Sequence, residues 1–312
     1  MIKRTQNKVS ESRLLLPIVG VITALVWLAC GLLPQQWWIQ AACLALSAIH
    51  MAILNNANAL IRIYSRMVSC CFLMLSCMAC YLFEDTKGGF VQLCVIASYV
   101  TAFNSYQDKQ AVGRIYYSFL CLGLASTVFV QLLYYIPFFW LLTATQLNSL
   151  SWRTMAASLI GLLTPYWFAT CWFLWQRDFN LMINHFTGLT AFLPLGDYHE
   201  ATLSQWLVFA FIIVLMLTGI IHFLRNSYQD KIRTRQLYGY FMIMELVTIV
   251  FMGLQPQHHH VLMRILIINA SPIIAHFIAL THTKWTNIAF YAIVVVSLLI
   301  TAYNVWMSSS IF

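Results

Sequence analysis

Charge is what this chain has least of. Asp, Glu, Lys and Arg make up 8% of its 312 residues, where a soluble domain carries about 25%. With 61% hydrophobic residues and a mean hydropathy of +0.77, no water-soluble core of this size would hide the apolar surface, which excludes an ordinary soluble domain. The local signatures of nucleotide and hydrolytic chemistry are also missing: no Walker A loop, no Rossmann glycine pattern, no GxSxG elbow and no HExxH. The first of these absences excludes a self-contained ATP-driven pump, and together they leave no expected cofactor. No low-complexity tract, fixed-period repeat or inverted pair of broken helices stands out. No segment between apolar stretches exceeds about 30 residues. A single transmembrane domain over 1–312 is therefore expected.

What is present is a succession of apolar stretches at 14–33, 38–54, 67–83, 90–107, 115–131, 133–147, 154–176, 206–224, 239–255, 260–282 and 285–306. Each is of the length that crosses a hydrocarbon core as a helix. The first follows Lys3, Arg4, Lys8 and Arg13 as a signal peptide would, but it is long for one and lacks a small-x-small cleavage site, so a retained helix is expected. The stretch 115–147 reads either as one tilted helix or as two short ones with a turn near Tyr134–Pro137. Charge decides between them. With two helices, Lys3, Arg4, Lys8, Arg13, Arg62, Arg66, Lys109, Arg114, Arg153, Arg225, Lys231, Arg233, Arg235 and Lys284 share one side, leaving Lys87, Arg177 and Arg264 on the other. A single helix would translocate the basic segment Arg225–Arg235. The positive-inside rule then predicts an all-α, polytopic transmembrane bundle of about 11 helices with a cytoplasmic N-terminus.

The net charge of +8 follows from those loops, which face anionic lipid, and needs no nucleic-acid partner. Trp37, Trp38, Trp152, Trp206, Trp285 and Trp306 fall at span ends, where amphipathic rings prefer the interface. Pro165 and Pro272 lie within spans, where neighbouring helices support a kink. The nine cysteines, Cys77-x-x-Cys80 included, lie inside spans and read as small packing residues rather than a disulfide framework or a metal site.

Ionisable groups inside a bilayer are costly and mark candidate sites. Glu245 lies about one and a half turns into its span from the cytoplasmic end. His276 lies about six residues before the inner end of the next, so a Glu245–His276 hydrogen bond is one expectation and a snorkelling Glu245 the other. His50, Asn104 and His222 also fall in inner halves; with Glu245 and His276 they either line a cytoplasm-facing polar cavity, as in a proton-coupled carrier, or make helix–helix hydrogen bonds. On the outer side, the loop 177–205 carries Asp178, His185, Asp197, His199 and Glu200, and a second loop carries His258, His259 and His260. Their spacing matches no metal motif. Arg264, one turn beyond, suits two-point binding of a phosphate together with Asp197, His199 and Glu200, or else it snorkels or pairs with Asp197 or Glu200.

From about Leu46 to Arg177 the chain resembles a family of uncharacterised polytopic membrane proteins of Bacteroidetes. The likeness rests on Leu54, Asn55, Asn58, Ile61, Arg62 and Arg66, on Leu122-Gly123-Leu124-Ala125 with Pro137, and on Ser151-Trp152-Arg153 leading to Gly161, Leu162, Leu163, Pro165 and Tyr166. The same hairpin is distantly similar to the membrane part of GT-C glycosyltransferases, which draw sugars from polyprenyl-phosphate carriers. That resemblance implies a carboxylate in the first outer loop, and Pro34-Gln35-Gln36-Trp37-Trp38 has none. The expectations for function are thus cell-envelope biogenesis with a lipid-linked, for example polyprenyl-phosphate-linked, substrate, as a degenerate GT-C relative or accessory subunit; an ion-coupled secondary transporter; or a structural subunit. Membrane lipids and partner membrane subunits are the expected partners.

Overall fold

The computed structural model describes residues 4–176, 180–192 and 202–309. Those residues are helical almost throughout, with no strand among them. The helices are α1 (Thr5–Ser10), α2 (Leu15–Ala29), α3 (Trp38–Asn58), α4 (Met67–Met78), α5 (Thr86–Phe103), α6 (Val112–Val128), α7 (Ile136–Thr145), α8 (Trp152–Gln176), α9 (Asn180–Thr187), α10 (Leu203–Asn226), α11 (Ile232–Leu254), α12 (His259–Leu280) and α13 (Lys284–Ser309). Every one of the eleven apolar stretches contains a helix. Among the described residues six helices are long and apolar enough to cross a membrane, and there are shorter apolar helices besides.

The reading of 115–147 as two segments agrees with the backbone, but the turn comes earlier than Tyr134. Phe129 leaves helical geometry (φ −132°, ψ 90°), and the chain returns through a 3-10 turn at Val130–Tyr135 into α7, with Pro137 in the first turn where its missing N–H costs nothing. The two arms lie side by side. Gln107 N–H donates to Leu147 O at 2.7 Å and Ser105 Oγ to Ser149 Oγ at 3.1 Å, so the start of α6 and the end of α7 lie at one pole.

That pole also gathers α1, which is held to the end of α12 by Gln6 Nε2 donating to Ile278 O and Thr281 Oγ1. The α3–α4 loop joins it through Ser65 Oγ to Ser10 O at 2.7 Å. Arg4, Arg62, Lys109, Lys231 and Arg233 belong to the segments that meet there, and it is termed the basic pole. At the opposite pole Arg264 holds the α4–α5 turn, His258 meets Phe129, and Gln131 reaches Gly188.

Close packing requires glycine at two positions. A Cβ on Gly123 would stand 2.7 Å from Leu162 O, and one on Gly161 would collide with Tyr116 O, so α6 and α8 approach backbone to backbone. At the centre runs α12, buried from Leu262 to Ala279 except for the half-buried Phe277. The outside is apolar: Leu25, Trp167, Leu224 and Leu299 are all well exposed. A surface of this kind belongs in lipid rather than water. The tryptophans at helix ends, Trp38, Trp152, Trp206, Trp285 and Trp306, are exposed as an interfacial belt requires.

Candidate functional site

Three polar clusters lie along α12. At the basic pole, His276 Nε2 lies 3.0 Å from Asp230 Oδ2, both buried. Arg62, more than a third exposed, brings its guanidinium to 3.9 Å from Asp230 Oδ1. His222 of α10 faces His276 at 5.6 Å between ring centroids, and Phe223 and Tyr238 close the ring edge-on. Nδ1 of both histidines is buried without a partner among the described residues. Nearby, Arg233 donates to Asn58 Oδ1 at 2.6 Å and to Phe103 O at 3.2 Å, tying α11 to the ends of α3 and α5.

The expected Glu245–His276 pair is absent, and helix length explains why. α11 begins at Ile232 rather than 239, which places Glu245 about 20 Å along the axis at 1.5 Å per residue. His276 sits only four residues from the end of α12, about 6 Å in. The two were expected at one depth and lie at different ones. Asp230 takes the place given to Glu245. Its position as the one acid within the basic segment 225–235 was the available signal, and Arg62 was legible only as a topogenic charge.

The second cluster surrounds Glu245, which is 1% exposed with neither carboxyl oxygen hydrogen-bonded. Tyr99 and Tyr135 lie within electrostatic reach of it. Tyr99 donates to Asn269 Oδ1 of α12 at 2.9 Å, and the Tyr135 hydroxyl approaches Thr248 without completing a hydrogen bond.

The third is built on Arg264, 7% exposed. Its guanidinium donates to Leu82 O, to Asp85 O at 3.1 Å and to Gln92 Oε1 at 2.9 Å, and Asp85 itself caps α5 through Gly88 N–H. Arg264 therefore neither snorkels nor offers an open two-point contact; backbone carbonyls occupy it. Its proposed companions Asp197, His199 and Glu200, like Asp178, lie outside the described residues. His259 and His260 pack around Tyr81. The remaining candidates stand apart. His50 bonds back to Leu46 O of its own helix at 2.8 Å, and Asn104 is exposed at the end of α5 with its carbonyl accepting from Arg114. A single inner cavity lined by all five polar residues is thus not formed. No group of three metal-type ligands occurs among the described residues.

Two apolar clefts open sideways. The larger, about 690 Å³, lies between α2 and α13 with α4 as its floor, and runs from Thr5 and Val9 near the basic pole to Ala29 and Val305 near the other. Its lining is predominantly apolar, and three of its hydroxyls are already used: Thr23 donates to Val19 O, Ser297 to Ile293 O and Thr301 to Ser297 O. The wall therefore presents mainly hydrocarbon. The smaller, about 470 Å³, is bounded by Tyr134, Tyr135, Phe138, Phe192 and the second half of α11.

Fold and clefts together define a membrane-type helical bundle with a buried polar axis and a lateral apolar groove. Comparison with family models, with curated proteins and with solved structures finds no match to this chain.

Proposed function

We propose an eleven-pass protein of the bacterial inner membrane, with its N-terminus and basic pole in the cytoplasm, that binds a membrane lipid or lipid-linked substrate along the groove between α2 and α13 in cell-envelope biogenesis. The groove carries this reading: it spans the depth of the bundle, opens toward the surrounding lipid and is lined almost wholly by apolar side chains, which suits an acyl or isoprenoid chain. Burying such a chain contributes about 0.8 kcal/mol per CH₂ against water; against bulk lipid, selectivity would come from shape. The orientation follows from the basic residues of the pole. The resemblance to the Bacteroidetes family and to GT-C enzymes is kept as part of this proposal, in the form of a relative or accessory subunit without the first-loop carboxylate.

A photoreactive residue tests it. Placed at Ser297, in the groove wall, it is expected to capture a restricted set of lipids in native membranes. At Leu299, 64% exposed on the same helix, it should capture the bulk mixture. Identical captures at both positions would remove the groove as a site.

A second reading, an ion-coupled secondary transporter, is favoured by one observation: Arg264, Asn269 and His276 place polar groups at three depths of the same buried helix.

A further inference from the structure

Glu245 poses a problem of solvation that the lipid reading leaves untouched. Both carboxyl oxygens are buried and without a hydrogen bond among the described residues. Its position near the middle of α11 matches that of Asn269 on α12, which accepts from Tyr99 of α5. An ionised carboxylate at this depth needs a cation or several donors. Neither is supplied. Arg233 is committed to Asn58 and Phe103, Arg264 to the α4–α5 turn, and His276 to Asp230. Within electrostatic reach of Glu245 among the described residues are two phenols, neither hydrogen-bonded to it: Tyr99 of α5, whose hydrogen goes to Asn269, and Tyr135 of the 3-10 turn before α7, which still lacks a partner. Thr248, one turn along, spends its hydrogen on Met244 O.

A proton on the carboxyl resolves the arrangement. It removes the charge, so that the carboxyl no longer needs a counter-cation or a set of donors at this depth. We infer that Glu245 is a proton-binding site in the centre of the bundle, occupied in this conformation. The ligand is the proton rather than an alkali cation, because a bare cation would require several converging carboxyl or carbonyl oxygens and, among the described residues, Glu245 brings the one carboxyl here. Release of that proton requires water or a cation to reach the site, so the protonated and ionised forms belong to different conformations. This site is separate from the α2–α13 groove and stands whether or not a lipid binds there.

Infrared spectroscopy of the full chain in lipid nanodiscs, with the glutamate carboxyl carbons isotopically labelled, tests the inference. At neutral pH the expected result is a protonated carboxyl band that carries the isotope shift, disappears in Glu245→Gln and is unchanged when sodium or potassium is exchanged for a bulky organic cation. Where Glu245→Gln fails to fold, Glu245→Asp replaces it, and the isotope shift is expected to vanish because the aspartate carboxyl is unlabelled. The inference is overturned if no labelled protonated band is present, or if the band appears only on removal of alkali cations, which would make Glu245 a cation site.

Discussion

A guanidinium with three acceptors and a histidine with one carboxylate behave differently when replaced, and both cases are measurable. Arg264 spans Leu82 O, Asp85 O and Gln92 Oε1 from a buried position, a fan that the point charge of Lys cannot reproduce. Arg264→Lys should cost about 1.5–3 kcal/mol, the scale of one charge-assisted hydrogen bond, seen as earlier unfolding in detergent melts. Retained stability with lost lipid binding would instead assign Arg264 a ligand role. For the inner cluster, Asp230→Asn and His276→Gln should be non-additive by roughly 0.5–3 kcal/mol, whereas Glu245→Gln and His276→Gln should add within about 0.5 kcal/mol. Coupling in the second cycle and not the first would restore the Glu245–His276 pair.

Among the helices, α6 and α8 meet where Gly123 and Gly161 have no side chain. A methyl at Gly161 would strike Tyr116 O, a backbone atom that cannot swing aside. Gly161→Ala should therefore cost about 1–3 kcal/mol, with Gly113→Ala, which meets open space, as the neutral control in the same melts. A second test lies on α9. Burial lowers the pKa of His185, partly offset by its bond to Ser126 O at 3.1 Å. A histidine shifted downward in the folded state docks best while neutral, so docking is strongest above the free value of about 6.5 and weakens as pH falls below it. Protection of Asn180–Thr187 against hydrogen exchange, taken relative to the intrinsic rate at each pH, should fall on acidification, and it should lose that dependence in His185→Gln. Helix positions were legible in the sequence because length and hydropathy suffice to find them. The break in 115–147 was legible from charge, though its place at Phe129 was not, since nothing in the apolar run marks where a 3-10 turn takes over. Pairings were the harder part. Glu245 and His276 looked equally deep because the amphipathic first turns of α11, with Arg233 and Arg235, read as loop, and Asp230 was hidden as one acid among bases.

At the level of the molecule, the two poles differ in charge while the belt between them is apolar. Lys231, Arg233, Arg62 and Lys109 gather with the ends of α5, α7 and α12, and Lys87 and Arg264 mark the other pole. The proposed function places this bundle across a membrane with its basic pole in the cytoplasm. Reporter fusions measure that directly. Fusions after Arg114, Arg153 and Arg235 are expected to report cytoplasm, and fusions at Thr187 and His259 the far side. A cytoplasmic signal at Thr187 together with an external one at Arg235 would contradict the orientation and the two-segment path through 115–147 on which it rests.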